Sequence, residues 1–148
     1  MEKAIKLAKD IQDLNTGKVF LLVFNNQPNQ KMILDLNREG QLRFGTLEDG
    51  SKMPLYSRTS QVVFGKPNTN WTLYDTGDFY RSFKITGLTE NAITWTGDTQ
   101  KDDVDLADKV ANATGGGIIF GLTDESKEIL IKEVLPSIRK LILKQLNL

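Results

Sequence analysis

Asp75-Thr76-Gly77 is the triplet in this chain that most directly spells catalytic chemistry. Aspartic proteases hold a carboxylate in such a triplet, and the retroviral members carry one copy per chain and dimerise. Two carboxylates then share one proton. Ile118-Ile119-Phe120-Gly121 imitates the apolar pair and glycine that accompany the triplet downstream. Three features oppose this reading. Asp78 adds a charge where a small residue is needed, and Phe79, Tyr80 and Phe83 fall at helical rather than strand spacing. Asp75 or Thr76 would also cap a helix, with Gly77 in the entry turn. The residues favour a structural turn, with catalysis by Asp75 in a homodimer as the alternative.

Gly115-Gly116-Gly117 lacks the Gly-Lys-Ser/Thr ending of a phosphate loop, which makes it a flexible feed into the last helix. Asp98, Asp102, Asp103, Asp105 and Asp108 are the densest acidic group, without the central Gly and distal Glu of a calcium loop. They read as a solvated helix face, or as a dock for a basic partner such as the Lys-rich last helix of a second copy. Trp71, Tyr74, Phe79, Tyr80 and Trp95 read mainly as core, with Trp71 partly exposed as a partner contact. Neither a cofactor nor a metal is expected.

Composition narrows the chemistry further. The 148 residues contain no Cys and no His, which excludes disulfides, thiol nucleophiles, Ser-His and Cys-His catalysis and His-based metal centres. Formal net charge is zero, so no global field recruits nucleic acid or an anionic membrane. The N-terminal stretch lacks the unbroken apolar core of a signal peptide. The run Val19–Phe24 is too short to cross a bilayer. The expectation is a soluble single domain over residues 1–148, made in a cytoplasm.

The elements that must position these groups follow from periodicity. Ala4, Ile5, Leu7, Ala8, Ile11 and Leu14 predict an amphipathic helix stopped at Gly17 by a left-handed cap. Val19–Phe24 predicts a buried strand. A second helix starts at Asn25 or Asn26 with Pro28 in its first turn, is weakened at Gly40 and ends at Gly45. Residues 46–70 predict a long irregular arm. Phe83 and Ile85, then Ile93 and Trp95, alternate with polar residues and predict a hairpin. An acid-led helix follows through Val104, Leu106 and Val110. The last helix, 123–146, is capped by Thr123, with Pro136 predicting a kink or a split. The fold class is α+β, amphipathic helices packed on a small antiparallel sheet.

The order of these motifs resembles the virion-morphogenesis and tail-completion proteins of tailed bacteriophages, the group of the protein G type of phage Mu. The matching positions are Gly45, Asp49 and Gly50; Tyr56 and Ser57; Leu73, Asp75, Thr76, Gly77, Phe79, Ser82 and Phe83; and Gly121 through Glu125. The likeness spans about residues 35–140. It departs from the family where many relatives carry a His-containing segment before the last helix. The resemblance implies a non-enzymatic virion component of the tail or neck that joins head to tail. It further implies a homo-oligomeric ring contacting tail-tube and connector proteins, with Asp75-Thr76-Gly77 as a structural turn.

Overall fold

A computed structural model describes residues 2–148. The chain begins with α1 (Glu2–Gln12), α2 (Thr16–Phe24) and α3 (Gln27–Asp35). Val19–Phe24 is therefore helix, not the expected strand, and the reason is local capping. Asn15 Oδ1 accepts from Lys18 N at 2.8 Å, opening α2. At its far end Asn29 Nδ2 and Gln30 Nε2 donate to the Val23 and Phe24 carbonyls, both at 2.8 Å. These polar partners satisfy groups that a helix terminus leaves orphaned. Gly17 lies in the first turn of α2 instead of ending α1. Asn26 takes the N-cap position of α3 without a capping hydrogen bond from its side chain, and Pro28 sits in the first turn, as the sequence indicates.

The second predicted helix changes geometry midway. A π-helical turn covers Leu36–Gln41 and a 3-10 turn covers Leu42–Phe44. Gly45 then stops the chain in the left-handed region, at φ 67°. The arm that follows is more ordered than its composition suggests. It contains α4 (Arg58–Phe64), opened by Ser57, whose side chain accepts from Ser60 N. The short helix α5 (Asp78–Arg81) leads into the hairpin β1 (Lys84–Leu88) and β2 (Ile93–Thr96), which pair antiparallel with a bulge between Ile85 and Gly87. A second small ribbon joins β3 (Gln100–Lys101) to β4 (Val104–Asp105).

The chain ends with α6 (Leu106–Thr114) and α7 (Asp124–Gln145). The acid-led helix starts later than expected, because Asp105 takes the cap position and accepts from Ala107 N and Asp108 N. Val104 is thereby a strand residue, and Asp102 and Asp103 form the tip of a ribbon rather than a first turn. Thr123 caps α7, and the helix runs through Pro136 without splitting. The fold is mixed α+β, with two small antiparallel ribbons.

Two apolar clusters hold these elements. The first gathers Leu42, Leu47, Met53, Phe79, Tyr80, Phe83, Leu106, Val110 and Ile119. The second gathers Val19, Val23, Phe24, Ile33, Leu122, Leu130 and Val134. Trp95 packs against both clusters, so the hairpin is where they meet. Between them lies a buried amide clasp. Asn37 Nδ2 donates to the Ile119 and Gly121 carbonyls, each at 3.0 Å, and Asn37 Oδ1 accepts from Trp95 Nε1 at 2.9 Å. Gln41 Nε2 donates to Gly121 O and Gln41 Oε1 accepts from Thr123 N, both at 2.9 Å. The clasp ties the π-helical turn to the strand of chain that launches α7.

Candidate functional site

Gly45, Gly50, Tyr56, Ser57, Trp71 and the Asp75-Thr76-Gly77 triplet, singled out in the sequence, come together in the arm and the turn that closes it. Gly45 sets the arm's base: a Cβ there would stand 2.5 Å from Asn70 Cβ and 2.9 Å from Trp71 O. Only glycine combines a left-handed φ with so close an approach. Around that base Met53 N donates to Gly45 O and Trp71 N to Pro54 O, each at 2.8 Å. Thr46 pairs with Lys52 and Leu55 with Asn70 as isolated bridges. Asp49 and Gly50 form a tight turn at the near end, where Asp49 Oδ1 accepts from Ser51 N at 2.9 Å. Tyr56 N donates to Thr69 O at 3.0 Å, and the Tyr56 hydroxyl accepts from Thr72 N at 3.3 Å. The arm is thus a loop stitched along its stem and carrying α4 at its end.

Asp75 closes this loop. Its carboxylate accepts from Lys66 Nζ at 2.8 Å and from Lys101 Nζ, so it joins the end of the arm to the β3–β4 ribbon. Hydrogen bonds from Lys101 and then Lys66, with their charges, lower its pKa to about 2. The proton-sharing carboxylates of an aspartic protease need the opposite environment, one in which a negative charge is hard to keep. The turn itself departs from expectation in one detail. Gly77, not Asp75 or Thr76, occupies the cap position of α5, at φ 86°. Thr76 supports it from one residue earlier by accepting from Asp78 N at 3.4 Å.

Behind the turn, Phe79 and Tyr80 are buried, and Tyr80 donates its hydroxyl to Thr72 O at 2.5 Å. Burial pushes the Tyr80 phenol well above the ordinary tyrosine range. Tyr74, expected in the core, is exposed instead, with the Arg43 guanidinium 3.8 Å from its ring centroid. Trp71 is half-buried, as the sequence suggests, and Lys109 Nζ lies 5.0 Å from its ring centroid.

The arm, the turn and the ribbon enclose a cleft of about 760 Å³, lined among others by Leu55, Phe64, Trp71, Leu73, Asp75 and Lys101. Its lining mixes aromatic and aliphatic surface with lysines engaged by Asp75 or Trp71 and with the carboxylates of Asp78, Asp98 and Asp102. Asp102 and Asp103 stand exposed at the ribbon tip, whereas Asp105 is spent on capping α6. Gly121 and Thr123 sit elsewhere, in the amide clasp. No group of three or more acidic side chains suited to hold a metal occurs among the described residues.

The sequence reading missed the apolar surface of α4. Val62, Val63 and Phe64 are 76%, 64% and 71% exposed, three consecutive large apolar side chains in water. The signal was available: a Val-Val-Phe run inside a stretch otherwise rich in turn chemistry. Isolated apolar side chains on a surface are ordinary, but a contiguous set marks a binding face. Ile5 and Ile11 on α1, and Ile131, Leu135 and Leu143 on α7, are exposed as well. No helix among the described residues is long and apolar enough to cross a membrane. No family model, curated protein or solved structure matches this chain.

Proposed function

We propose that this chain is a structural subunit of a tailed-bacteriophage particle, a tail-completion or neck component that joins head to tail as a homo-oligomeric ring. The observation that carries the reading is the set of uncovered apolar faces on three separate helices, above all Val62, Val63 and Phe64 on a stitched arm. A monomer gains nothing by displaying them; a subunit covered by neighbours buries each for about 1.5–3 kcal/mol. The phage assignment rests on the ordered resemblance from Gly45 to Glu125, and the geometry is compatible with its parts. In that arrangement Gly45 sets the arm, Asp75 latches it, and α4 is presented to tail-tube or connector proteins. The chain acts in the virion and needs no catalysis.

The alternative, an aspartic protease homodimer, requires Asp75 to leave both lysines before it can share a proton.

The test is the solution mass of the protein alone and with purified tail-tube protein, by light scattering coupled to size exclusion. A closed oligomer, alone or on the tube, is expected. The variant V63D/F64D should keep its thermal transition and lose that assembly. A wild-type chain that stays monomeric and ignores the tube sinks the proposal. A clean dimer with acid peptidase activity that Asp75→Asn abolishes would install the protease in its place.

A further inference from the structure

The inward face of α7 is committed to the second core cluster through Leu130, Val134, Ile138, Leu141 and Ile142. Its outward face is not. Two i±4 rows run side by side there, Leu135-Arg139-Leu143 and Pro136-Lys140-Lys144, and they bound a shallow groove closed at one end by Leu148. Adjacent i±4 rows form the ridges between which another chain segment packs. Leu135, Leu143 and Leu148 are exposed to water, at 54%, 40% and 70%. Arg139, Lys140 and Lys144 line the same groove, no Asp or Glu side chain lines it, and none of the three makes an ion pair among the described residues. The groove is apolar at its floor and positive at its rim.

The complementary chemistry is present on this same molecule, but on a different part of it. The β3–β4 ribbon carries exposed Asp102 and Asp103 at its tip, followed by Val104, which is 44% exposed; Asp102 and Val104 also border the cleft under the arm. Asp102 is held at φ 53°, so the tip is a tight turn rather than a trailing loop. The neighbouring Lys101 is paired with Asp75, a carboxylate it shares with Lys66, and no ion pair engages Asp102 or Asp103 among the described residues. The ribbon leads straight into Leu106 of the first core cluster, whereas the groove backs onto the second. Each site is therefore built on its own rigid support.

We infer that the α7 groove receives the Asp102-Asp103-Val104 tip of a second copy of this chain. Two carboxylates meet Arg139, Lys140 and Lys144, and Val104 packs on the exposed apolar surface of the groove. Because donor and acceptor surfaces differ, the contact is heterologous, and repetition of it closes a ring or extends a filament. A net charge of zero fits this division, since each copy carries one excess of either sign on separate surfaces. The contact deepens the ring reading above by naming its interface. Exposed ion pairs contribute little singly and are screened by salt, so this interface is a weak, salt-sensitive joint made secure by closure of the ring.

The absence of cysteine makes the test direct. Asp103→Cys and Lys140→Cys are prepared as separate proteins, mixed in equal amounts at low salt and oxidised. The mixed disulfide should form about fivefold faster than either homodimer, as expected when opposite sites meet and like sites do not. Adding Asp102→Lys to the Asp103→Cys chain, or raising the salt to about 0.5 M, should erase the preference. Thermal transitions of the single variants confirm that both are folded. Mixed and homodimeric products forming at equal rates, or a preference indifferent to salt and to Asp102→Lys, would overturn the inference. A clear mixed disulfide from a protein that ignores tail tubes keeps this contact and removes the phage role. Assembly onto tubes without the mixed disulfide does the reverse.

Discussion

Replacing Asn37 by Leu removes the centre of the amide clasp while roughly keeping its volume. Asn37 is fully buried and uses both amide hydrogens and its carbonyl oxygen. The change orphans Trp95 Nε1 and removes the Asn37 donor from Ile119 O, whereas Gly121 O keeps its bond from Gln41 Nε2. Each buried group left without a partner costs about 1–3 kcal/mol, so the expected loss is about 2–4 kcal/mol after the apolar gain of leucine. For a chain of this size that lowers Tm by about 5–15 °C. The assay is denaturant unfolding followed by tryptophan fluorescence, with Trp95→Phe made alone and in combination. A coupling of about 1 kcal/mol between positions 37 and 95 is expected. Asn37→Asp adds a sign. The buried carboxyl would face two carbonyl oxygens, and its folded pKa would be raised. The folded state then binds more protons than the unfolded one, so the variant loses stability as pH rises from about 4 to 7. An Asn37→Leu loss below about 1 kcal/mol, or an Asn37→Asp variant more stable at neutral pH than in acid, would refute the clasp as described.

The Asp75 latch should open in acid. Its folded pKa is lowered to about 2, so its contribution is present above the unfolded value of about 3.9 and is lost as pH falls through 2. Protection of the α4 amides, measured against their intrinsic exchange rates, should therefore fall between pH 4 and about 2, and Asp75→Asn should show the lower protection already at pH 6; equal protection in the two proteins would exclude the latch. Gly45→Ala should cost clearly more than Gly50→Ala. Both glycines have positive φ, but a Cβ at Gly50 meets nothing within 4 Å, whereas one at Gly45 meets Asn70 and the Trp71 backbone. About 1 kcal/mol is expected for Gly50→Ala and at least about 2 kcal/mol for Gly45→Ala, read as the difference in thermal unfolding.

What the sequence by itself determined are the features decided within a few residues. The Phe83–Trp95 hairpin, the Pro28 helix start, the Gly45 stop and the Thr123 cap all depend on neighbouring side chains and backbone groups, and each lies where its residues indicate. The helix opened by the Asp75-Thr76-Gly77 turn was legible too, although Gly77 and not its neighbours took the cap. Tertiary structure decided the rest. Val19–Phe24 is apolar on every side, and a uniform run has no period to separate strand from helix. The amides of Asn29 and Gln30, and burial against α7, made it a helix. Asn37 and Gln41 look like surface residues in the sequence, because a polar side chain is costly inside until its partners exist. Those partners lie some eighty residues away, at Ile119, Gly121 and Thr123. Likewise, an apolar stripe on α7 announces that something must cover it without saying which half is covered. Only the packing shows Leu130 and Val134 inside, with Leu135 and Leu143 left facing water. Local bonding is encoded where it acts, whereas burial is a property of the whole chain once it has closed on itself.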